Sequence, residues 1–143
     1  GATQEALQLG DIVMAIGANT DTNYAHQYQL PGTFSATASY DLLVKAQQSA
    51  ERNGFRYTVG NVVSSDVFYG ETQEWKVWAK MGTLAVEMES FALYCNAARA
   101  GVKALGIFTV SDSLVTGEEM SAEARQNSFT NMMKVALETA CQE

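Results

Sequence analysis

Short apolar segments typical of β-strands alternate along this chain with segments whose apolar residues recur at helical spacing. The strand patterns cover residues 9–17, 57–63, 83–87 and 103–110, and the helical patterns cover residues 39–52, 71–81, 90–100 and 121–142. Strands that alternate with helices form a sheet flanked by those helices, because each crossover returns the chain along a face of the sheet. The sequence therefore predicts an α/β domain with a largely parallel or mixed sheet.

Three details of this pattern give sharper expectations. The run KALGIFTV at 103–110 has the continuous apolar character of a strand buried on both faces. Residues 18–38 are polar and hold the only proline, Pro31, so we expect a long loop that is functional or contacts another subunit. The last helix is expected to bury one apolar face, which comprises Phe129, Met132, Met133, Ala136, Leu137 and Ala140.

The composition limits the classes of function. The 143 residues are 47% hydrophobic and 17% charged, which indicates one globular domain. The net charge is −7, and the nine basic residues are scattered singly, which argues against binding to nucleic acid or to an anionic membrane. No apolar run is long enough to span a bilayer.

The cysteines and the single histidine bear on localisation and on metals. Cys95 and Cys141 have no disulfide-framework spacing and both fall within helical patterns, so we expect reduced core thiols in a cytoplasmic protein. His26 is the only histidine and no Cys–His cluster is present, which makes a zinc site improbable. We expect His26 to face solvent or a subunit interface.

Carboxylates follow two of the predicted strands. Glu87 and Glu89 are two residues apart and would point to the same side of an extended segment, and Asp112 follows the strand at 103–110. The carboxyl edge of an open α/β sheet is where small ligands bind. The two glutamates are either solvated side chains or a pair that grips vicinal hydroxyls. Asp112 is either a turn residue or a partly desolvated acid that can donate a proton.

Other candidate residues are less specific by themselves. Phe68 and Tyr69 lie in a loop after a strand, where they either cover the edge of the core or stack on a planar ring. Arg125 lies near the start of the last helix and would by itself be a solvated helix residue.

In order along the chain, these motifs resemble the bacterial, DeoD-type purine nucleoside phosphorylases of the nucleoside phosphorylase type I family. The resemblance rests on GNVVSSDVFY at 60–69, AVEMESFALYCNAARAGVKALGIFTVSDS at 85–113 and SAEARQNSFTNMMKVALE at 121–138, and it also covers the opening of the chain. It implies a three-layer αβα fold with a central mixed sheet. It also implies phosphorolysis, in which a purine (deoxy)ribonucleoside and inorganic phosphate give free purine and (deoxy)ribose 1-phosphate.

The resemblance also implies roles for individual residues. Asp112 would be the general acid that protonates purine N7, and Arg125 would pair with Asp112 to promote that transfer. Glu89 would bind the ribose hydroxyls, with Met88 against the sugar. The remaining residues would line the base pocket or lie beside the acid, and they are Phe68, Val86, Glu87 and Ser111. Neither a metal nor a resident cofactor is implied, and the expected assembly is a homohexamer built from dimers.

The resemblance begins partway into the family pattern. We therefore expect residues 1–143 to be the C-terminal portion of a single domain, without the N-terminal strands and the phosphate-binding arginines and serine of the family. Two alternatives stay open: a purine nucleosidase that uses water instead of phosphate, and a catalytically incomplete fragment that binds nucleosides. Uridine phosphorylase is disfavoured, because a pyrimidine has no N7 for Asp112 to protonate.

Overall fold

The computed structural model of this chain describes residues 1–68 and 70–141. The strands are β1 (Ile12–Thr20), β2 (Tyr57–Ser64), β3 (Val86–Glu87) and β4 (Gly106–Thr109). The helices are α1 (Tyr40–Arg52), α2 (Trp75–Lys80), α3 (Ser90–Ala100) and α4 (Ala122–Cys141), and Tyr24–Tyr28 forms a short 3-10 helix. The alternation of strands and helices predicted from the sequence is confirmed.

The four strands form one mixed sheet in the order β3-β2-β1-β4. β1 pairs in parallel with β2, β2 pairs in parallel with β3, and β4 runs antiparallel to β1. The prediction that the strand at 103–110 is buried on both faces is wrong. β4 is an edge strand of this sheet, with one hydrogen-bonded neighbour, and Ile107 and Phe108 are only half-buried.

Helices cover both faces of the sheet, which confirms the expected three-layer arrangement. Side chains alternate along β1, so Ile12 and Met14 pack with Leu43 of α1 and Val135 of α4. The intervening Val13 and Ala15 belong to a second cluster on the opposite face, with Phe91, Tyr94 and Cys95 of α3. The core is thus two apolar layers separated by the central strand.

The predicted apolar face of the last helix is largely wrong. Met133, Ala136, Leu137 and Ala140 are exposed, while Val135 and Thr139 are fully or almost fully buried. The helix is rotated relative to the expectation, and its buried side carries Val135 in the apolar core and Glu138 in polar contacts to α1. An apolar stripe identifies the core face only where hydrophobic burial alone sets the rotation of a helix.

Two further expectations need correction. The polar segment 18–38 is not all loop, since β1 continues to Thr20 and the 3-10 helix follows. The hydroxyls of Tyr24 and Tyr28 in that helix donate to Asn96 Oδ1 of α3, at 2.9 and 2.6 Å. Both cysteines are free thiols, but only Cys95 is buried, so the core assignment of Cys141 is wrong.

A carboxylate of α4 supplies the polar contacts to α1. Glu138 Oε2 accepts hydrogen bonds from Ser49 Oγ at 2.6 Å and from Asn53 Nδ2 at 3.1 Å, and it lies 3.5 Å from Arg52 Nη2. The bond from Ser49 is the largest cause that lowers the pKa of Glu138 below its ordinary value of 4.5. The network satisfies the hydroxyl of Ser49, which is completely buried.

We predict that Glu138→Gln lowers the stability of the fold at neutral pH and has little effect in acid. A folded pKa below the unfolded value means that the contribution of Glu138 is present above pH 4.5 and is lost as the pH falls through the folded pKa. Urea midpoints at pH 7 and pH 3 measure this difference. The control is Glu123→Gln, an exposed acid in the first turn of α4. A deficit of the same size at both pH values would contradict the prediction.

Candidate active site

Three neighbouring strands end level with one another. Thr20 of β1 is in register with Ser64 of β2, and Ser64 is in register with Glu87 of β3. Side chains tie the three ends together, since Thr20 Oγ1 donates to the carbonyl of Ser64 at 3.0 Å and Ser64 Oγ donates to the carboxylate of Glu87. Parallel strands that end together create the crevice in which open α/β sheets bind ligands.

Glu87 caps the helix that follows it. Its Oε2 accepts the backbone N–H groups of Glu89 and Ser90, each at 2.7 Å, and thereby satisfies donors at the start of α3. A carboxylate in this place also interacts favourably with the positive end of the helix dipole. Glu87 and Glu89 are therefore not an equivalent pair: the first is committed to the helix, and the second is exposed at its N-cap.

Residues 1–3 join the Glu87 region to the segment that carries Asp112. Gly1 and Val86 exchange backbone hydrogen bonds of 2.9 and 3.0 Å. On the other side of this segment, the N–H of Ala2 donates to the carbonyl of Asp112 at 2.8 Å, and the N–H of Leu114 donates to the carbonyl of Ala2 at 2.9 Å. This short segment thus lies between Val86 and Asp112 and brings both to the same edge of the sheet, although they are 26 positions apart.

The carboxylate of Asp112 is partly shielded. Ser111 Oγ donates to its Oδ1 at 2.7 Å, and the side chain is 33% exposed. A Cβ added at Gly1 would lie 2.7 Å from Asp112 Oδ2, so a larger residue there would displace the carboxylate. The turn beyond Asp112 is capped by Ser113, whose Oγ accepts the N–H of Thr116 at 3.2 Å. The side chain that caps this turn is therefore that of Ser113.

A cavity of about 580 Å³ opens beside these strand ends. Phe68 and Val86 line it, together with Leu114, Trp75 and Trp78. Asp21, Glu71 and Glu74 also line it, and among the residues that the structure describes no lysine, arginine or histidine does. Aromatic walls with acceptor groups suit an uncharged planar ring that carries hydrogen-bond donors, whereas an anion would be repelled.

Sequence reasoning missed the two tryptophans and the polar pair at one end of this cavity. Ser65 Oγ donates to Asp21 Oδ2 at 2.9 Å, and both residues line the cavity immediately after β2 and β1. Both tryptophans fall in the helical pattern at 71–81, and their spacing of three residues places them on the side of α2 that faces the cavity. Asp21 had no sequence signal, because its position depends on where β1 ends.

The other predicted residues lie outside the lining of this cavity. Met88 and Glu89 are exposed where α3 begins, and Ser111 and Asp112 lie beyond Val86 and Leu114. Arg125 is in the first turn of α4, where its Nη2 lies 3.7 Å from Glu119 Oε2. The expected contact of Arg125 is with Asp112, so the structure gives this arginine a different partner. Tyr69 lies outside the described residues.

A second cavity, of about 820 Å³, holds none of the predicted site residues. His26 and residues of the 18–38 segment line it, with Asn61 and Phe91 on the opposite side. It adjoins the first cavity at Trp78, which lines both. The family resemblance assigns Val86 and Phe68 to the base pocket, and both line the smaller of these two cavities but not the larger. We therefore assign the candidate site to the smaller cavity.

Residues 1–68 and 70–141 carry neither a membrane-crossing helix nor a cluster of metal-binding side chains. Within these residues no helix combines the length and the apolar character needed to cross a bilayer. The same part of the chain has no group of three or more His, Cys, Asp or Glu side chains placed to share a metal ion.

Comparison with known proteins agrees with this arrangement. The family model described as the Phosphorylase superfamily matches residues 1–142. The chain belongs to the phosphorylase superfamily. The members similar to it include a DeoD-type purine nucleoside phosphorylase of Clostridium beijerinckii, which is 51% identical over 140 residues, and one of Alkaliphilus metalliredigens, which is 49% identical over 142.

These superfamily members are longer than the present chain. The alignments cover 97% and 98% of the chain but only 59% and 60% of the two relatives. The chain therefore spans about 60% of the length of the curated relatives that it matches.

A solved structure shows the same superfamily fold. The purine nucleoside phosphorylase of Toxoplasma gondii, crystallised with immucillin-H, superposes with a TM-score of 0.86 over 97% of this chain and 58% of that one. The sequence identity is 21%, so this likeness concerns the fold alone.

We predict that the two glutamates at the start of α3 contribute differently to stability. Glu87→Ala removes the cap from two backbone donors and should cost about 1–2 kcal/mol, whereas Glu89→Ala should change stability by less than about 0.5 kcal/mol. Urea unfolding of both variants measures the difference. Equal effects would show that the capping contacts of Glu87 carry no net stabilisation.

Proposed function

We propose that the complete protein catalyses the phosphorolysis of purine nucleosides, giving a free purine and ribose 1-phosphate or 2-deoxyribose 1-phosphate. The observation that carries this proposal is the hydrogen-bonded segment of residues 1–3. This segment pairs with the backbone of Val86 on one side and with the backbone of Asp112 on the other, and so brings Asp112 to the same edge of the sheet as Val86, which lines the aromatic cavity. Membership of the phosphorylase superfamily and the names of the similar proteins support the same reaction.

The cavity fits the base of the nucleoside. We assign the purine ring to the space between Phe68 and Val86, with the backbone of Glu87 beside it. Glu87 takes part through its main chain, since its carboxylate is occupied by the cap of α3. Acidic side chains in the lining exclude phosphate from this cavity and accept hydrogen bonds from amino or ring N–H groups of a purine.

Asp112 supplies the proton that the leaving base requires. Cleavage of the glycosidic bond develops negative charge on the purine and positive charge on the ribose. A carboxylic acid at position 112 donates its proton to N7, so the base leaves as a neutral molecule. Ser111 orients this acid by its 2.7 Å hydrogen bond. Arg125 moves to Asp112 when the nucleoside binds and stabilises the carboxylate that remains after the proton has been transferred.

The sugar and the phosphate are held on the other side of the scissile bond. Glu89 and Met88 are exposed beside the strand ends, where Glu89 can accept hydrogen bonds from the 2′ and 3′ hydroxyls. Inorganic phosphate is the co-substrate, and its contacts are assigned to the part of the protein that these 143 residues do not span. Following the family resemblance, we also propose a cytoplasmic homohexamer built from dimers, without a resident cofactor.

The first experiment tests the reaction class. The complete protein is incubated with inosine or adenosine, with and without phosphate, and free base and ribose 1-phosphate are measured. We expect base release that depends on phosphate and matches ribose 1-phosphate in amount. Release without phosphate would instead indicate a nucleosidase, and absence of release with retained nucleoside binding would indicate a binding protein. Either result would refute phosphorolysis.

The second experiment tests the acid. We predict that Asp112→Ala lowers kcat by about 10²- to 10⁴-fold, the usual contribution of general acid catalysis, with a much smaller change in nucleoside affinity. Asp66→Ala is the matched control, since Asp66 is an exposed aspartate outside the cavity lining. Equal losses in kcat and affinity for Asp112→Ala would contradict the acid role.

A further inference from the structure

The segment after the proposed acid folds back against it. The N–H of Ser113 donates to the carbonyl of Glu118, and the N–H of Met120 donates to the carbonyl of Ser111, both at 2.8 Å. These bonds form an antiparallel bridge in which Asp112 and Glu119 are directly opposite. Residues opposite one another in an antiparallel pair project their side chains to the same side. A second carboxylate therefore neighbours the proposed acid.

Arg125 pairs with Glu119, the second of these carboxylates. In the structure its Nη2 lies 3.7 Å from Glu119 Oε2, and both side chains are partly or largely exposed, at 44% and 75%. The start of α4 is anchored next to this bridge, because Ser128 Oγ contacts Met120 Sδ at 3.3 Å. Glu119 is the partner of Arg125 in the structure, and Asp112 is its partner in the proposed reaction, so one guanidinium has two alternative partners.

We propose that Glu119 is a positioning residue that holds Arg125 away from Asp112 until a nucleoside binds. This inference rests on the proposed function, in which Arg125 pairs with Asp112 during the reaction. The ion pair with Glu119 stabilises the free protein but not the complex with the nucleoside. Binding of the nucleoside must break that pair, so the pair reduces apparent affinity for the substrate without altering the chemical step.

The size of the effect follows from the exposure of the pair. Exposed ion pairs contribute little, so removal of Glu119 should favour the substrate complex by about 1.5- to 5-fold. A change confined to the free protein alters KM and leaves kcat unchanged. The pair is also screened by salt, and its effect should shrink as ionic strength rises.

The test compares Glu119→Gln with Glu118→Gln in the complete protein. Both variants remove one negative charge from adjacent exposed positions, but Glu118 contacts Thr116 Oγ1 at 3.0 Å and not Arg125. We expect Glu119→Gln to lower the KM for inosine by about 1.5- to 5-fold at low salt, with kcat unchanged. Glu118→Gln should leave KM unchanged. In an Arg125→Ala background, Glu119→Gln should have no effect.

Several results would overturn the proposal. These are an unchanged or raised KM for Glu119→Gln, an equal effect of Glu118→Gln, or an undiminished effect of Glu119→Gln when Arg125 is alanine. The Arg125→Ala variant distinguishes failure of the role of Glu119 from failure of the proposed role of Arg125 in the reaction. If Arg125→Ala leaves the kinetics unchanged, the role of Arg125 in the proposed reaction fails together with that of Glu119. If Arg125→Ala slows the reaction and Glu119→Gln changes nothing, only the positioning role of Glu119 fails.

Discussion

The parallel pairing of β1 with β2 is the interaction on which the rest of the structure depends. β1 has nine residues and β2 has eight, and the extra residue is absorbed by a shift in register between Ala15 and Gly17. Ile16 lies at this bulge and is 43% exposed. Because of the bulge, both strands end in register at Thr20 and Ser64. Bulges commonly adjust strands in this way next to active sites.

Because the strands end level with one another, the acidic residues Glu87, Glu89 and Asp112 have different surroundings. Ser64 extends the ladder to Glu87, whose carboxylate then turns back onto the start of α3. This leaves Glu89 free at the helix N-cap and places Val86 in the wall of the cavity. Asp112 reaches the same edge through backbone hydrogen bonds to residues 1–3. Carboxylates that look alike in the sequence thus serve as a cap, a proposed sugar ligand and a proposed acid.

Negative and positive side chains occupy different places at this edge of the sheet. The cavity lining carries acidic and aromatic side chains, whereas Arg125 lies outside it and pairs with Glu119 across the turn from Asp112. In the proposed reaction, the base is therefore bound in an acceptor-rich cavity, and positive charge reaches the acid only when Arg125 moves. Such an arrangement separates recognition of the base from stabilisation of the carboxylate left after proton transfer.

The sequence by itself determined the alternation of strands and helices, because apolar periodicity is a local property of the chain. It also determined that Glu87 ends a strand and that Asp112 follows one. Tertiary structure decided the rotation of α4, which buries Val135 and pairs Glu138 with Ser49, and the edge position of β4. It also decided that Asp21, Ser65 and Trp75 line one cavity. Those outcomes depend on strand register and on polar contacts between distant residues, which no local pattern encodes.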